Sequence, residues 1–378
     1  MRPYLLVAWD FVRTGGMDMA NYALARHLAD RGHAVHLVTH RAAPELLAHR
    51  NIFAHIVPKI AGTYTLSEPL LDAVGRRWAK YVTERGGRVL VNGGNCLWGD
   101  LNWVHYVHAA YGPQMNGSAL RRMKSRYSRR RALRTEADAL RRARLVIANS
   151  QITRRHLVEC VGVPEQAIRT VYYGIDNERF QPCTDAERVS ARAALGLTAE
   201  VVVAFVGALG DRRKGFDTVF NAWQRLQADR TWDAELVVVG VGAELPAWKQ
   251  RAAENGWGAS VRFLGFRDDV QRILAASDAL IAPTRYEAYG LGVHEALCCG
   301  VPAFVTRTAG VAERYPAELR DLLLDSPDDA EELAGRLRRW RERRDACRRD
   351  LLETSRRMRE RTWSSMASEI EALAEEQA

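Results

Sequence analysis

Short, continuous apolar runs alternate with amphipathic stretches along most of the chain. YLLVAW (4–9), AVHLVTH (34–40), RVLVNGG (88–94), LNWVHYVHA (101–109), RLVIANS (144–150) and IRTVYYGID (168–176) read as strands buried on both faces, the pattern of a parallel sheet. After the first of them, MDMANYALARHLADRG sets Ala20, Ala23, Leu24, His27 and Leu28 at helical spacing, with Gly32 as the stop. The pattern restarts after GIDNERFQPC (174–183), which reads as a linker. VVVAFVGAL (201–209), ELVVVGVG (235–242), VRFLGF (261–266), DALIAPT (278–284) and PAFVT (302–306) are the next strands, separated by helical pieces such as 216–227 and 270–277. Strands alternating with helices predict an α/β chain made of two doubly wound, Rossmann-like units. In such sheets ligands sit beyond the carboxyl ends of the strands, and the crevice between two units is the expected site.

Composition narrows the class. The 378 residues are 47 % hydrophobic and 27 % charged, a globular profile with core enough for two domains. No apolar run approaches the ~20 residues of a membrane-crossing helix. The N-terminal MRPYLLVAWDF meets Asp10 rather than a small-residue cleavage site, so it reads as a first strand and the expected location is cytoplasmic. Cys96, Cys160, Cys183, Cys298, Cys299 and Cys347 show no C-x-x-C spacing, which fits free thiols in a reducing compartment.

The formal charge of +9 is concentrated rather than spread. Residues 121–144, RRMKSRYSRRRALRTEADALRRAR, hold eleven Lys/Arg and two acids, so the rest of the chain is neutral overall. A nucleic-acid binder would interleave such a stripe with exposed aromatics, and only Tyr127 is available, so no nucleic-acid partner is expected. Leu120, Met123, Tyr127, Leu133, Ala137 and Leu140 form a rough helical stripe here. Two readings fit it: a solvated helix covering the first sheet, or a basic amphipathic helix in peripheral contact with anionic membrane. Liposome flotation separates them, since binding that ignores anionic lipid removes the second reading.

The densest chemistry lies in YEAYGLGVHEALCCG (286–300), at the carboxyl end of DALIAPT. Glu287 and Glu295 bracket a Gly-rich turn, and GVHEALCCG opens a helix in which Val293, Ala296 and Leu297 face inward and Glu295 falls in the first turn. The backbone N–H groups of Ala288, Tyr289, Gly290 and Leu291 would then point along the helix axis as an anion site. Gly290 and Gly292 would let a ligand approach the backbone. An ionised carboxylate accepts hydrogen bonds only, which suits pairs of neighbouring hydroxyls. Glu295 would take a ribose and Glu287 a hexose, with a diphosphate between them. Equally, Glu295 could complement the helix dipole and Glu287 could be a solvated loop residue.

These residues, with several other stretches in order, resemble the E-x7-E retaining glycosyltransferases of the GT-B fold, in particular glycosyltransferase family 4. TGGMDMANYALARHLADRGHAVHLVTH resembles that family's Gly-rich first loop and helix, and FVGALGDRRKGFDTVFNAW its diphosphate loop. RLVIANSQITRRHL, VYYGIDNERFQP and VRFLGFRDDVQRILAASDALIAPTRYEAYGLGVHEALCCGVPAFVTRTAGVAE are similar to its run into the linker and its donor half. The resemblance implies an acceptor-side domain over 1–176, a nucleotide-sugar domain over 177–359, and a C-terminal helix from about 360 to 378 packing back on the first domain. It implies transfer of a sugar, with retention, from a nucleotide-diphosphate sugar to an acceptor that is a glycan, a lipid-linked molecule or a small molecule. A sugar-nucleotide binder of the same fold without transferase activity, or an epimerase or phosphorylase, is the alternative.

The resemblance also places residues. Lys214, before the second glycine of the phosphate loop, matches the family's lysine, but Ala208 stands where its arginine would be. Arg212 or Arg213 is the expected substitute. Phe266, in the stretch around the base pocket, and Gly15 and Gly16, in the first loop, complete the expected donor set. His108 matches the histidine the family carries at a strand end beside the sugar, while His105 is expected to be packed in the sheet. Lys214, Glu287 and His108 are thus the expected catalytic residues. No D-x-D pair and no His/Cys cluster of zinc-like spacing occurs, so no metal and no cofactor is expected.

Overall fold

The computed structural model describes residues 2–112, 119–210, 212–229 and 231–376; within the basic helix, the side chains of residues 119–122, 124, 125 and 127 lie outside the described set. Two compact units result, one formed by residues 1–174 with 362–378 and the other by 175–361.

In the first unit the strands are β1 (Tyr4–Val7), β2 (Asp10–Phe11), β3 (Val35–Thr39), β4 (Arg41–Ala42), β5 (Ile52–Ile56), β6 (Arg88–Asn92), β7 (Leu101–Val104), β8 (Leu145–Ala148) and β9 (Ile168–Thr170). Seven of them form a parallel sheet in the order β5-β3-β1-β6-β7-β8-β9, and β2 pairs with β4. The helices α1 (Gly16–Asp30), α2 (Pro44–Leu47), α3 (Tyr64–Thr83), α4 (Ala119–Arg142) and α5 (Gln151–His156) connect them. Every residue of β1, β3, β7 and β8 is buried, as expected of parallel strands covered on both faces.

The second unit has six strands, β10 (Val201–Val206), β11 (Ala234–Val239), β12 (Val261–Gly265), β13 (Ala279–Ala282), β14 (Ala303–Thr306) and β15 (Leu323–Leu324), again all parallel, in the order β12-β11-β10-β13-β14-β15. Its helices are α6 (Asp185–Leu195), α7 (Phe216–Gln227), α8 (Leu245–Glu254), α9 (Val270–Ala276), α10 (Leu291–Cys298), α11 (Ala330–Glu342) and α12 (Arg344–Arg359). The strand order turns outward in both directions from β10 and β13, so the loops after these two strands flank a topological switch point.

The last helix, α13 (Trp363–Glu376), belongs to the first unit. Its Glu371 receives His27 Nε2 at 3.0 Å and His33 Nε2 at 2.9 Å, while Glu375 accepts the Tyr4 hydroxyl at 2.7 Å. Burial pushes the Glu371 carboxyl up, but hydrogen bonds from the two histidines and the charge of Arg31 hold it below the ordinary carboxylate range.

Four sequence expectations need correction. The strand read over 101–109 ends at Val104, because the chain tightens into a 3-10 turn over His108–Ala110 while its apolar character continues. The helix after the Gly-rich turn begins at Leu291, so Glu295 is its fifth residue and not part of the first turn. In the basic helix Leu140 is buried but Met123 is 64 % exposed, and the buried acid Glu136 interrupts the apolar face; Leu120 and Tyr127 lie outside the described side chains. Strand β5 was not anticipated, being an edge strand with Phe53 and Ile56 exposed.

Candidate active site

In the second unit the loop after β10 folds into a 3-10 turn, Arg212–Lys214, and enters α7 through Gly215 in a left-handed conformation (φ 73°). A β-carbon on Gly215 would come 2.0 Å from the Pro283 carbonyl oxygen, so only glycine lets this loop press against the loop that follows β13. The same contact sets the distance between the basic loop and the acidic turn. Lys214 is further held by Gly207, whose missing β-carbon would lie 3.3 Å from Lys214 Cγ.

Lys214 Nζ donates to Glu287 Oε2, and Arg213 Nη1 lies 3.7 Å from the same oxygen while donating to the Tyr286 carbonyl at 3.3 Å. The Glu287 side chain is 17 % exposed. Burial alone would raise its carboxyl, but Lys214 and then Arg213 hold it below the ordinary range, so it is an anion at neutral pH. Arg212 goes elsewhere. It pairs with Asp217, which also takes Arg285 Nη1 and Nη2 at 2.8 Å each, and Arg285 Nε reaches Asp328 at 2.8 Å. Burial would raise the Asp217 carboxyl as well, but Arg285 and Arg212 bring it below its usual range. Of the two arginines considered for the place left by Ala208, the structure brings Arg213 to Lys214 and Glu287, whereas Arg212 braces the loop from behind.

The turn from Tyr286 to Gly290 is stitched to the segment after β14. The Glu287 carbonyl accepts the Gly310 N–H at 3.1 Å and the Tyr289 carbonyl accepts the Val311 N–H at 2.6 Å. Gly290 has φ 107°, and a β-carbon there would meet Val311 Cγ1 at 2.9 Å and Glu287 Cγ at 3.3 Å; at Gly292, by contrast, the space is open. Ala288 and Tyr289 are buried, and Leu291 is the first residue of α10. Under the turn, the Tyr289 hydroxyl meets His294 Nδ1 at 2.9 Å and His294 Nε2 faces the Met358 carbonyl at 3.4 Å. Burial, with Arg314 adding to it, pushes the imidazole down to about 3, so the neutral ring accepts from Tyr289 and donates to Met358.

Glu295 differs from Glu287 in charge. Burial pushes its carboxyl up to about 8, with Arg179 opposing only in part. Arg179 is itself engaged, giving Nε to Gln271 Oε1 at 2.9 Å. Phe266, directly after β12, is 66 % exposed.

In the first unit Gly15 (φ 84°) precedes α1, and Gly16 is its first residue. Asp18 sits in the same first turn, with Oδ2 3.6 Å from where a Gly15 β-carbon would be. Burial and then the charge of Asp10 push the Asp18 carboxyl up to about 7. A phosphate on Gly15 and Gly16 would therefore share the helix N-terminus with an acid. His105 is buried as expected, but just beyond the end of β7 rather than in the sheet, with Nδ1 against the Tyr173 hydroxyl and its ring pushed down to about 3 by burial. His108 lies beyond the strand end with its side chain 47 % exposed, and its Nδ1 is 2.8 Å from Glu136 Oε1. Among the described residues, no group of three or more His, Cys, Asp or Glu side chains is arranged to hold a metal ion, and no helix is long and apolar enough to cross a membrane.

Sequence reasoning passed over Glu136, Asp217, Arg285 and His294. Asp217 and Arg285 adjoin the motifs that were singled out, in RRKGFD and TRYEAYG, so a carboxylate and a guanidinium of opposite sign beside two strand-end loops were the available signal. Glu136 carried only its oddity as an acid within a strongly basic run.

The glycosyltransferase family 4 model matches residues 14–179, and the glycosyl transferases group 1 model matches residues 200–342. D-inositol 3-phosphate glycosyltransferase of Corynebacterium jeikeium is 32 % identical over 245 residues, 62 % of this chain and 57 % of that protein, so the match spans less than two thirds of the relative's own length. Sucrose-phosphate synthase from Thermosynechococcus elongatus superposes with a TM-score of 0.78 at 22 % identity, covering 100 % of this chain and 99 % of the other. Anabaena HepE, solved in complex with UDP-glucose, gives 0.75 at 19 % identity over 99 % and 100 %. At such identities these structures speak for the GT-B fold, while the two family models between them cover the loops and strand ends described above. The chain belongs to the glycosyltransferases of family 4, the glycosyl transferases group 1.

Proposed function

We propose that the protein transfers a sugar from a nucleotide-diphosphate sugar to an acceptor hydroxyl, with retention of anomeric configuration and without a metal. The observation that carries this reading is the convergence of Lys214, Arg213 and Glu287 from the loops after β10 and β13. Two cations beside the N-terminus of α10 suit a diphosphate, and a carboxylate already ionised between them suits the hydroxyls of the attached sugar. Bond breaking leaves negative charge on the β-phosphate, and preformed cations can stabilise it without reorganising. With Glu287 engaged as a hydroxyl acceptor, transfer on one face is the simpler course: the bond from C1 to phosphate breaks, the leaving oxygen takes the acceptor's proton, and the new bond forms on the same side. In this reading His108 acts at the sugar, the role that the family resemblance implies for it. The UDP-glucose held by HepE and the inositol phosphate in the relative's name support a nucleotide-sugar donor and a polyol acceptor.

The test is nucleotide diphosphate release from UDP-, GDP-, ADP- and TDP-glucose, with inositol 3-phosphate and simple glycosides as acceptors. Release should be acceptor-dependent with one base, and NMR of the product should show the donor's α or β configuration preserved. Tight binding of a donor without release would instead identify a sugar-nucleotide binder, and an inverted product would remove the retaining mechanism.

A further inference from the structure

We propose that Glu136 is a positioning residue for His108, fixing the ring's tautomer and direction so that Nε2 is presented to the reacting sugar. Glu136 lies on α4 and is only 2 % exposed. Its Oε1 receives both His108 Nδ1, at 2.8 Å, and the His108 backbone N–H, at 3.1 Å, while Oε2 receives the same N–H at 3.0 Å. Among the described residues these are the hydrogen bonds of its carboxylate, and all come from one residue.

A carboxylate accepts and never donates, so the proton of a neutral His108 must sit on Nδ1, leaving Nε2 with its lone pair. Fixing the backbone N–H with the same carboxylate ties the 3-10 turn over His108–Ala110 to α4, so ring and backbone cannot swing separately. The surrounding packing is shaped to bring the acid there. Gly94 permits the approach, since a β-carbon on it would lie 3.0 Å from the Glu136 backbone nitrogen and 3.2 Å from the Thr135 carbonyl carbon. A buried acid serves stability poorly, because a pair in the interior recovers little more than its own desolvation and an apolar side chain would fill the place as well. Tyr106 flanks the ring edge-on at 4.9 Å, restricting it from a second side.

The inference rests on the reading that His108 acts at the sugar, so the experiment separates the two. Turnover is measured as nucleotide diphosphate release from the glucose donor that the panel selects, for wild type, Glu136→Ala, Glu136→Gln, His108→Ala and the His108→Ala/Glu136→Ala double variant. Glu136→Ala should lower kcat about 100-fold, leave the donor KM within about twofold, and cost nothing further when His108 is already alanine. Glu136→Gln, which keeps the volume and one acceptor oxygen, should fall between wild type and Glu136→Ala. In wild type, nitrogen-15 NMR of the His108 ring should show the Nδ1–H form, a readout that needs no variant to fold. Wild-type turnover in Glu136→Ala beside an inactive His108→Ala, or an Nε2–H ring, would overturn the proposal alone. Full turnover in His108→Ala would overturn the role of His108 and the proposal with it.

Discussion

Lys214→Ala is expected to lower kcat/KM for the sugar donor by about 10²–10³-fold. Lys214 stands in the 3-10 turn after β10, braced over Gly207, and its ammonium meets Glu287. In the ligand-free protein the two charges satisfy one another; with donor bound, the ammonium would turn part of its hydrogen bonding to the departing phosphate, where charge grows during reaction. Removing an interaction that strengthens only in the transition state lowers kcat more than it raises KM. Arg213, at 3.7 Å from the same carboxylate, remains in the variant and accounts for residual activity. Glu287→Gln should also depress turnover, by removing the anion proposed to receive the sugar hydroxyls and by freeing Lys214 to move. Because both side chains belong to one cluster, the double variant should lose less than the product of the two single losses. Steady-state kinetics on the four proteins decides it. A loss of less than about fivefold for Lys214→Ala would take that residue out of the leaving-group site.

Donor affinity should rise with pH between about 6 and 8, by more than about tenfold, and Glu295→Gln should abolish the rise. The cause is the unlike charge of the two glutamates. Burial pushes Glu295 up to about 8, so near neutral pH most of the free protein carries it protonated. A protonated acid can receive only part of what a ribose diol offers, whereas the carboxylate can accept from both hydroxyls. Binding through the ionised form must therefore expel the proton, and the cost grows as pH falls below the carboxyl's own value. A nucleotide-diphosphate sugar has no phosphate group titrating in this range, so the pH dependence belongs to the protein. Calorimetry at about pH 7 in buffers of different ionisation enthalpy should register nearly one proton released per donor bound. A pH-independent affinity, with no proton released, would show that Glu295 does not meet the ribose as an anion.

The same carboxyl affects the free protein in the opposite sense. A folded-state value raised from 4.5 to about 8 means that the folded chain holds a proton the unfolded chain has lost over that interval. Its contribution to stability is thus fully present below about 4.5 and is lost as pH rises towards 8. Donor binding and stability without donor consequently run in opposite directions with pH, which distinguishes ionisation at Glu295 from general unfolding.

The apolar runs of the chain by themselves determined the α/β class and the two parallel sheets, and the glycine-rich and charged motifs at the strand ends carried the resemblance to the family. Continuous burial on both faces demands uninterrupted Val, Ile and Leu, and the Gly-rich and charged residues at the strand ends stand out against that background. Arg212, Arg213 and Lys214 are adjacent in sequence, and nothing local distinguishes one arginine from the other. Asp217, in the first turn of α7 and itself held by Arg285 from the loop after β13, claims Arg212 and leaves Arg213 to Glu287. Likewise Glu287 and Glu295 are chemically the same residue eight positions apart. One is an anion because two cations reach it, and the other stays protonated because burial outweighs Arg179. The carboxylate behind His108 lies 28 residues away in sequence. Hydrophobic periodicity is a property of consecutive residues and survives in the sequence, whereas desolvation and charge pairing depend on which distant side chains share a few ångströms, and tertiary structure alone decides that.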